Sequence, residues 1–597
     1  MKMLFTRTFA VALVLVLTAT GLWAAGSSDG GDSAAAADKK YVTDPTTGKV
    51  VSAPEYGGTL TYGAMLEPDN ADTFFFHLPA LAAGGVVETL GLLNWGIDRD
   101  VFSFRTHYQP EFAYTSHLAE SWDTPDPLTI IFNIRKGIKW QNKAPMNGRE
   151  FTADDVVHSF QRMLGMGDFA EVGPSPFTYA RPSAESITAP DKYTVVVKLT
   201  EPNTAILVLF AGGSSHAFIY PPEVIKQYGD VKDWRNLVGT GPYMLTDWVE
   251  GSSITHTKDP DYWKDDEKYP GNRLPYIDKL QGLFIKEEAT RLAGLRSGKI
   301  DFVGFPTNIT SVDVLDSLRK TNPEIVLEPW FNRSETSFNM DASKPPFDDS
   351  RVRMAMQLAL DLEGIDRSFY KGTSAWQPQG IVGRGISGYS TPFDEWPEEV
   401  KKGYRYDRAG AEALLDEAGY PRGADGTRFK TTLNHSEKFH LGYSELAATY
   451  WEEIGVDVEI DVLDEASRIA AQRDRTWEGL FTMPLGNHTA PLDITREWVH
   501  SSSFGNTHGT RYPELDALLD AARTATSEEE RQRLVKEVDM YTVENHWYIW
   551  GPMPGTYQAH QPWVIGYNGE VWLSFLNTLP IFSRLWIDSE LKAEMGH

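Results

Sequence analysis

Apolar and polar residues alternate in two clear stretches of the chain. Between residues 128 and 135, Ile130, Phe132 and Ile134 fall on one face of an extended chain. In residues 456–462, four aliphatic side chains alternate with three acidic ones. A period of two residues is typical of a half-buried β-strand. The pattern therefore predicts strands in both stretches.

Other stretches carry the signals that start or end a helix. A capping residue before an apolar stripe of helical spacing marks the first turn, and glycine marks the end. These signals are Thr152 before Val156, Phe160 and Met163; Asp407 and Gly419 around residues 407–419; and Ser527 with Glu530 as a capping box. Strands and helices mix throughout the chain, which predicts α/β domains rather than a sandwich or a bundle.

Length and composition set limits on this picture. The chain has 597 residues, more than a single hydrophobic core usually serves, so at least two domains are expected. With 41% hydrophobic and 23% charged residues, it has the composition of a folded globular protein. Its formal net charge of -27 would repel a phosphate backbone, which argues against a nucleic-acid partner.

The first 40 residues predict export rather than folded structure. Lys2 and Arg7 precede a short apolar run, and small residues follow it at positions 24–26. This order predicts a secretory signal peptide over residues 1–26, with an uncleaved anchor as the alternative. Residues 27–40 have the composition of a flexible linker. The chain has no cysteine, so lipidation on cysteine and disulfides are excluded.

Motifs for enzymes fail on their context. Gly383, Gly385 and Gly388 spell GxGxxG, but Pro392 and Pro397 follow where a dinucleotide-binding helix would begin. No HExxH or GxSxG occurs, and the histidines form no set with metal-ligand spacing. These failures favour a protein that is not an enzyme, and the sequence predicts no cofactor and no metal site.

A series of short motifs extends over nearly the whole chain after the linker. Each alone is weak, because most are turn or helix-cap sequences. In chain order they are LAESWD from Leu118, IIFNIRKGIKW from Ile130, FTADDVVHSF from Phe151, VGTGPYML from Val238, DPDYW from Asp259, LPYID from Leu274, SGKID from Ser297, FNMD from Phe338, PPFDDSRVRMAMQLALD from Pro345, YDRAGAEALLDEAGYP from Tyr406 and YPELDALLDAA from Tyr512. In this order the chain resembles the extracellular solute-binding proteins of the peptide, nickel and oligosaccharide type.

The resemblance implies a fold of type II periplasmic binding proteins, in the large variant with three subdomains. Two α/β lobes are joined by a hinge of two crossing strands, and the solute lies between them. On this basis lobe 2 is expected at residues 306–540. The inserted subdomain of lobe 1 is expected at 86–200, and lobe 1 itself at 41–85, 201–305 and 541–597.

Residues of lobe 2 are the first candidates for solute contact. The resemblance places the loop with Trp376 and Gln377 against the solute, where an indole offers a stacking surface. In peptide-binding members an aspartate near the start of the segment 484–499 pairs with the peptide's amino terminus. That position falls on Asn487 or His488, which carry no fixed negative charge, and this weakens the expectation of a peptide. Asp493, a turn later, is the candidate to take the place of that aspartate.

Lobe 1 supplies further candidates. Asn70 and Asp72 belong to a polar turn that follows the first predicted strand, and they are expected to line the cleft. Trp95, in GLLNWGID, is a further aromatic candidate. For each of these residues the alternative is an ordinary packing or turn role.

The resemblance implies a soluble receptor that captures a small solute, of the oligopeptide or oligosaccharide class, and delivers it to the permease of an ABC importer. Its partners would be the solute and the permease subunits, with the receptor itself a monomer in the periplasm or outside the cell. A secreted carbohydrate hydrolase is one alternative, since two carboxylates in one cleft suffice for that chemistry. A ligand-sensing receptor of the same fold is another.

Overall fold

The computed structural model describes most of the chain after residue 39. The described residues are 40–74, 78–175, 184–202, 206–213, 215–304, 307–331, 333–386, 388–437, 439, 441–486, 491–503, 505–506, 508–525, 527–573 and 577–597. The predicted signal peptide and most of the predicted linker thus lie outside them.

Strands are numbered in chain order. They are β1 (Tyr41–Thr43), β2 (Val50–Ser52), β3 (Thr59–Ala64), β4 (Gly91–Leu93), β5 (Tyr114–Ser116), β6 (Ala119–Asp126), β7 (Thr129–Ile134), β8 (Ala184–Asp191), β9 (Thr194–Leu199), β10 (Tyr243–Val249), β11 (Ser253–Lys258), β12 (Lys279–Phe284), β13 (Phe302–Val303), β14 (Val326–Trp330), β15 (Arg333–Met340), β16 (Ser374–Ala375), β17 (Phe429–Ser436), β18 (Val456–Leu463), β19 (Leu480–Gly486), β20 (Tyr548–Ile549), β21 (Met553–Pro554), β22 (Thr556–His560), β23 (Val564–Ile565) and β24 (Trp586–Ile587).

Helices are numbered in the same way. They are α1 (Ala80–Ala83), α2 (Ala153–Leu164), α3 (Ile206–Val208), α4 (Pro222–Tyr228), α5 (Glu288–Arg296), α6 (Val312–Thr321), α7 (Ser350–Leu358), α8 (Leu362–Ser368), α9 (Glu398–Lys402), α10 (Arg408–Glu417), α11 (Leu441–Glu453), α12 (Glu465–Asp474), α13 (Pro491–Val499), α14 (Pro513–Thr524), α15 (Glu528–Glu544), α16 (Leu579–Phe582) and α17 (Ser589–Glu594).

The sequence patterns predicted several of these elements correctly. The two alternating stretches form β7 and β18. Thr152 closes a capping box at the start of α2 with Asp155. Asp407 accepts a hydrogen bond from the backbone N–H of Gly410 at the start of α10. Ser527 caps α15 by accepting from the N–H of Glu530, which is one half of the expected box.

Lobe 1 is built on a seven-stranded mixed sheet. Its strand order is β10-β11-β12-β3-β13-β22-β14. The three strands β12, β3 and β13 are parallel neighbours, whereas β22 runs antiparallel to β13 and β14. The carboxyl ends of β12, β3 and β13 therefore meet at one edge, where open α/β sheets bind their ligands.

Lobe 2 is built on a five-stranded sheet of order β18-β17-β19-β15-β20. Its core packs side chains from β15, β17 and β19 against α7, α10 and α11, and Trp451 of α11 is fully buried in it. The indole N–H of Trp451 donates to the backbone carbonyl of Met356 at 2.9 Å, so its polar edge is satisfied inside the core.

The chain passes from one sheet to the other twice. It leaves the lobe 1 sheet after Trp330 and enters the lobe 2 sheet at Arg333, and it returns between β20 and β22, across residues 550–555. These two short connections are the crossing strands that the resemblance implied, and they form the hinge. Because β14 pairs with β22 and β20 pairs with β15, residues 326–330 join the lobe 1 sheet and residues 548–549 join the lobe 2 sheet. The predicted domain bounds stay a prediction.

A further sheet occupies part of the range that was predicted for the inserted subdomain. It is the four-stranded antiparallel sheet β6-β7-β9-β8, whose inner face packs on α2 through Phe132, Val197 and Phe160. No helix in the described part of the chain is long and apolar enough to cross a membrane.

Candidate functional site

Two exposed apolar residues lie at the carboxyl edge of the lobe 1 sheet. Met65 and Leu66 follow β3 directly, and their side chains are 40% and 38% exposed. The backbone N–H of Met65 donates to the hydroxyl of Thr307, 2.8 Å away, which holds the chain in place as it leaves the strand. Adjacent exposed apolar side chains at a sheet edge are typical of a surface that a ligand covers.

A narrow apolar pocket lies behind this pair. It has a volume of about 30 Å³ and is lined chiefly by Tyr62, Leu66, Phe302 and Phe582. Burial raises the pKa of Tyr62 above its usual value, so the phenol stays neutral. The pocket has room for a small apolar group, not for a whole solute.

Lobe 2 contributes a loop that begins beside the hinge. Its first residues follow β16, which pairs with β21 next to the returning connection. We call residues 376–386 the Trp376 loop. Trp376 and Gln377 are both half-buried, and the Trp376 side chain packs against the lobe 2 core. The indole therefore offers only part of its surface to a solute.

Asp539 of α15 holds the Trp376 loop through a hydrogen bond to its backbone. Its carboxylate accepts the backbone N–H of Val382 at 3.0 Å. A Cβ on Gly380 would lie 2.0 Å from the same carboxylate, so only glycine fits there. Asp539 is buried, and this burial raises its pKa to about 7. Within the loop, the side-chain oxygen of Gln379 accepts the N–H of Arg384 at 2.8 Å.

The end of the loop contacts lobe 1. Val382, Ile386 and Tyr389 form an apolar cluster with Tyr108, which belongs to the lobe 1 segment between β4 and β5. The rings of Tyr108 and Tyr389 meet edge to face with centroids 6.0 Å apart. The Trp376 loop thus runs from the hinge to a contact between the lobes.

Asp493 lies close to this loop. It is in the first turn of α13, and its neighbour Leu492 packs against the Val382 cluster. The Asp493 side chain is exposed, yet the surrounding protein raises its pKa against the opposing effects of Arg496 and Arg531. An exposed but poorly hydrated carboxylate is expected on the floor of a depression. Asn487 and His488 lie outside the described residues.

In the polar turn of lobe 1, the side chains of Asn70 and Asp72 bind to groups within the protein. Asp72 is fully buried, and its carboxylate pairs with Arg162 of α2 at 2.6 Å. It also accepts the N–H groups of Phe74 and Val231, while Asn70 accepts the N–H of Asp72 itself. The predicted contact of Asn70 and Asp72 with solute stays a prediction, and this packing argues against it for Asp72.

Trp95 is in the lobe 1 core. Only 1% of its surface is exposed, and its ring packs against Phe104. The guanidinium of Arg99 lies 4.4 Å from its centroid and the ammonium of Lys268 lies 4.8 Å away, so cations cover the ring. This placement favours the packing role that was the alternative for Trp95.

A larger cavity lies between the inserted subdomain and lobe 2. It has a volume of about 430 Å³ and is bounded by the turn between β6 and β7 on one side and by the start of α15 on the other. Glu111, Asp126, Arg523 and Arg531 bring charges to its wall. Burial and the nearby Glu528 raise the pKa of Glu111.

Sequence reasoning missed three residues of this region. Met65 and Leu66 had a weak signal, since two apolar residues follow a strand where a polar turn was expected. Arg384 carried no signal in the sequence, because one arginine in a glycine-rich loop resembles any surface cation. Only the folded loop shows that its guanidinium is partly buried and has no acidic partner among the described residues.

Known proteins resemble this chain over most of its length. Heme-binding protein A of Haemophilus influenzae is 29% identical over 71% of this chain and 76% of its own. The periplasmic oligopeptide-binding protein OppA of Escherichia coli is 26% identical over 80% and 86%. Among solved structures, HbpA2 of Haemophilus parasuis has a TM-score of 0.71 at 20% identity, covering 89% of this chain and 100% of that one.

A second structure is that of the periplasmic binding protein DppA from Helicobacter pylori in complex with the peptide STSA. It has a TM-score of 0.61 at 22% identity and covers 90% of this chain and 99% of that one. Both structures support the type II periplasmic binding protein fold.

A family model matches residues 113–506, about two thirds of the chain. Its members bind small solutes for ABC importers and are not enzymes, so the predicted receptor is confirmed and the hydrolase alternative has no support. The chain belongs to the bacterial extracellular solute-binding proteins, family 5.

Proposed function

We propose that the solute is a small peptide, held between the carboxyl edge of the lobe 1 sheet and the Trp376 loop of lobe 2. The observation that carries this proposal is the exposed apolar pair Met65 and Leu66 at that edge. A peptide side chain would cover this pair. The polar groups of lobe 2 would bind the charged ends of the peptide.

Asp493 would pair with the ammonium group of the peptide. Its carboxylate is exposed, and the surrounding protein that raises its pKa would also strengthen its attraction for a cation. Trp376 would pack its open face on the peptide, and Gln377 would add a hydrogen bond. Relatives named for oligopeptides and for glutathione support a peptide over an oligosaccharide.

Mass spectrometry of whatever co-purifies with the protein tests the solute class. A peptide is expected, and its affinity for the pure protein is then measured by calorimetry. Asp493→Asn should weaken that affinity at least tenfold, and acetylation of the peptide's amino group should weaken wild type equally but not weaken the variant further. Asp520→Asn is the control, because Asp520 is an exposed acid that also neighbours Arg496. A bound sugar or an unchanged affinity would contradict the peptide proposal.

The proposal also includes export of the protein and binding of the solute by a monomer. The mature amino terminus is expected between Ala25 and Ser28, which the intact mass of the exported protein checks. A mass that retains residues 1–26 would indicate an anchor. Small-angle scattering is expected to give the mass of a monomer whose radius of gyration falls when the solute is added, since ligand favours the closed lobes.

A further inference from the structure

Arg384 is a cation with little to bind inside the protein. One guanidinium nitrogen, Nη2, donates to the backbone carbonyl of Gln377 at 2.6 Å. Nε is buried without a hydrogen-bond partner among the described residues, and no described carboxylate pairs with the group. Burial lowers the pKa of Arg384, so the charge is poorly hydrated as well as unpaired.

Three other arginines with little exposure are paired with carboxylates, whereas the buried Arg291 and Arg353 donate only to backbone carbonyls in the described part of the chain. The guanidiniums of Arg162, Arg99 and Arg584 each contact a carboxylate at 2.6–2.8 Å. Arg353 and Arg291 resemble Arg384 in having pKa values lowered by burial, but nearby acids oppose the shift in both. No such acid opposes the shift at Arg384.

An unpaired charge in this position has a physical cost. Removing a cation from water without an opposing charge is unfavourable, and proteins usually avoid it by pairing. The chain has 83 acidic residues, so partners are plentiful. A partner from outside the protein would offset the cost when it is bound.

The loop holds Arg384 in a prepared position. Gln379 fixes its backbone N–H, and the Asp539 carboxylate fixes Val382 two residues earlier. Ile386, two residues later, belongs to the apolar cluster that includes Tyr108 of lobe 1. Arg384 therefore lies on a rigid segment where the two lobes approach each other, and a group fixed before binding loses less entropy on binding.

We propose that Arg384 binds a carboxylate of the solute. The planar guanidinium matches a carboxylate in shape and charge, and Nη1 has no partner in the described part of the protein. This inference rests on the proposed peptide-binding function and deepens it. The site then binds a zwitterion, with the ammonium at Asp493 and the carboxylate at Arg384.

The first test does not depend on the identity of the solute. Melting temperatures of the dialysed protein are compared in sodium acetate and in sodium chloride at equal concentration and pH 7. Acetate should stabilise wild type relative to chloride, and Arg384→Gln should abolish the difference. Arg367→Gln, which removes an exposed guanidinium of the same lobe, should keep it. No acetate effect in wild type, or an unchanged effect in Arg384→Gln, would overturn the inference.

The second test uses the co-purified peptide and its carboxyl-terminal amide. If the terminal carboxylate binds Arg384, wild type should lose at least tenfold in affinity for the amide. Arg384→Gln should bind the free acid at least tenfold more weakly than wild type and should not distinguish it from the amide. If only a side-chain carboxylate binds, the amide should bind wild type normally and its Asn or Gln analogue should not.

Arg384→Lys retains the charge without the planar fork and should bind with intermediate affinity, which separates recognition from misfolding. Wild-type affinity in Arg384→Gln would overturn the inference while leaving peptide binding intact. If no peptide co-purifies, the proposed function fails, and the acetate comparison still decides the role of Arg384.

Discussion

The polar turn of lobe 1 and the Trp376 loop of lobe 2 both place a charged group out of bulk water, but they satisfy it differently. In the turn, Asp72 has a guanidinium and two backbone N–H groups as partners. In the loop, Arg384 has one carbonyl. A buried charge with internal partners depends on them for its stability, whereas an unpaired one is available to a ligand.

Breaking the Asp72 pair should have the largest effect on stability. Asp72→Asn leaves the Arg162 guanidinium buried without a counter-charge, which costs about 3–5 kcal/mol. Urea unfolding measures this loss. Glu363→Gln, which removes an exposed ion pair with Arg367, should leave the midpoint unchanged. Equal midpoints for the two variants would mean that the turn does not depend on this pair.

Trp376 in the loop and Trp95 in the lobe 1 core should differ in the same way, one affecting solute binding and the other stability. Trp376→Ala should weaken solute binding by about 1–4 kcal/mol, the range for an aromatic anchor, while the fold survives. Trp95→Ala should instead lower the free energy of unfolding by about 3–5 kcal/mol, because it empties a fully packed site. Calorimetric titration and a melting curve on each variant distinguish these outcomes. Unchanged affinity with a large loss of stability in Trp376→Ala would assign that residue to packing.

Asp539, which holds the Trp376 loop, should make the stability of the protein depend on pH. Its pKa rises from 3.8 to about 7 on folding, so the fold favours the protonated carboxyl. The stability it contributes is full below about pH 4 and is lost as the pH rises through 7, at no more than about 1.4 kcal/mol per pH unit. Asp539→Asn should flatten this decline, as measured by urea unfolding between pH 4 and pH 8. A decline as steep as in wild type would contradict the assignment, and Asp520→Asn is the exposed control.

The smallest effect on stability is expected at the exposed apolar pair. Leu66→Asn should change the free energy of unfolding by less than about 0.5 kcal/mol, because the side chain is partly in water already. It should nevertheless weaken solute binding. Val50→Asn, at a 71% exposed position away from the sheet edge, should change neither. Equal binding by both variants would remove Leu66 from the site.

The sequence by itself determined the fold class and the family. Local signals such as the alternation in residues 456–462 and the cap at Thr152 depend on neighbours within a few positions, so they were readable without tertiary structure. The ordered motifs then identified the two-lobed architecture. Local patterns do not specify which sheet a short strand joins, and only the structure shows that residues 326–330 pair in the lobe 1 sheet and residues 548–549 in the lobe 2 sheet.

Only the tertiary structure decided which charges are paired. Asp72 and Arg162 are 90 residues apart, and the distance between Arg384 and an acid depends on contacts made across the whole lobe. In the sequence, Asp72 was a polar turn residue and Arg384 was one cation among 56. Burial and long-range pairing give the first a structural role and leave the second open to a ligand, because electrostatic partners are set by distance in space and not along the chain.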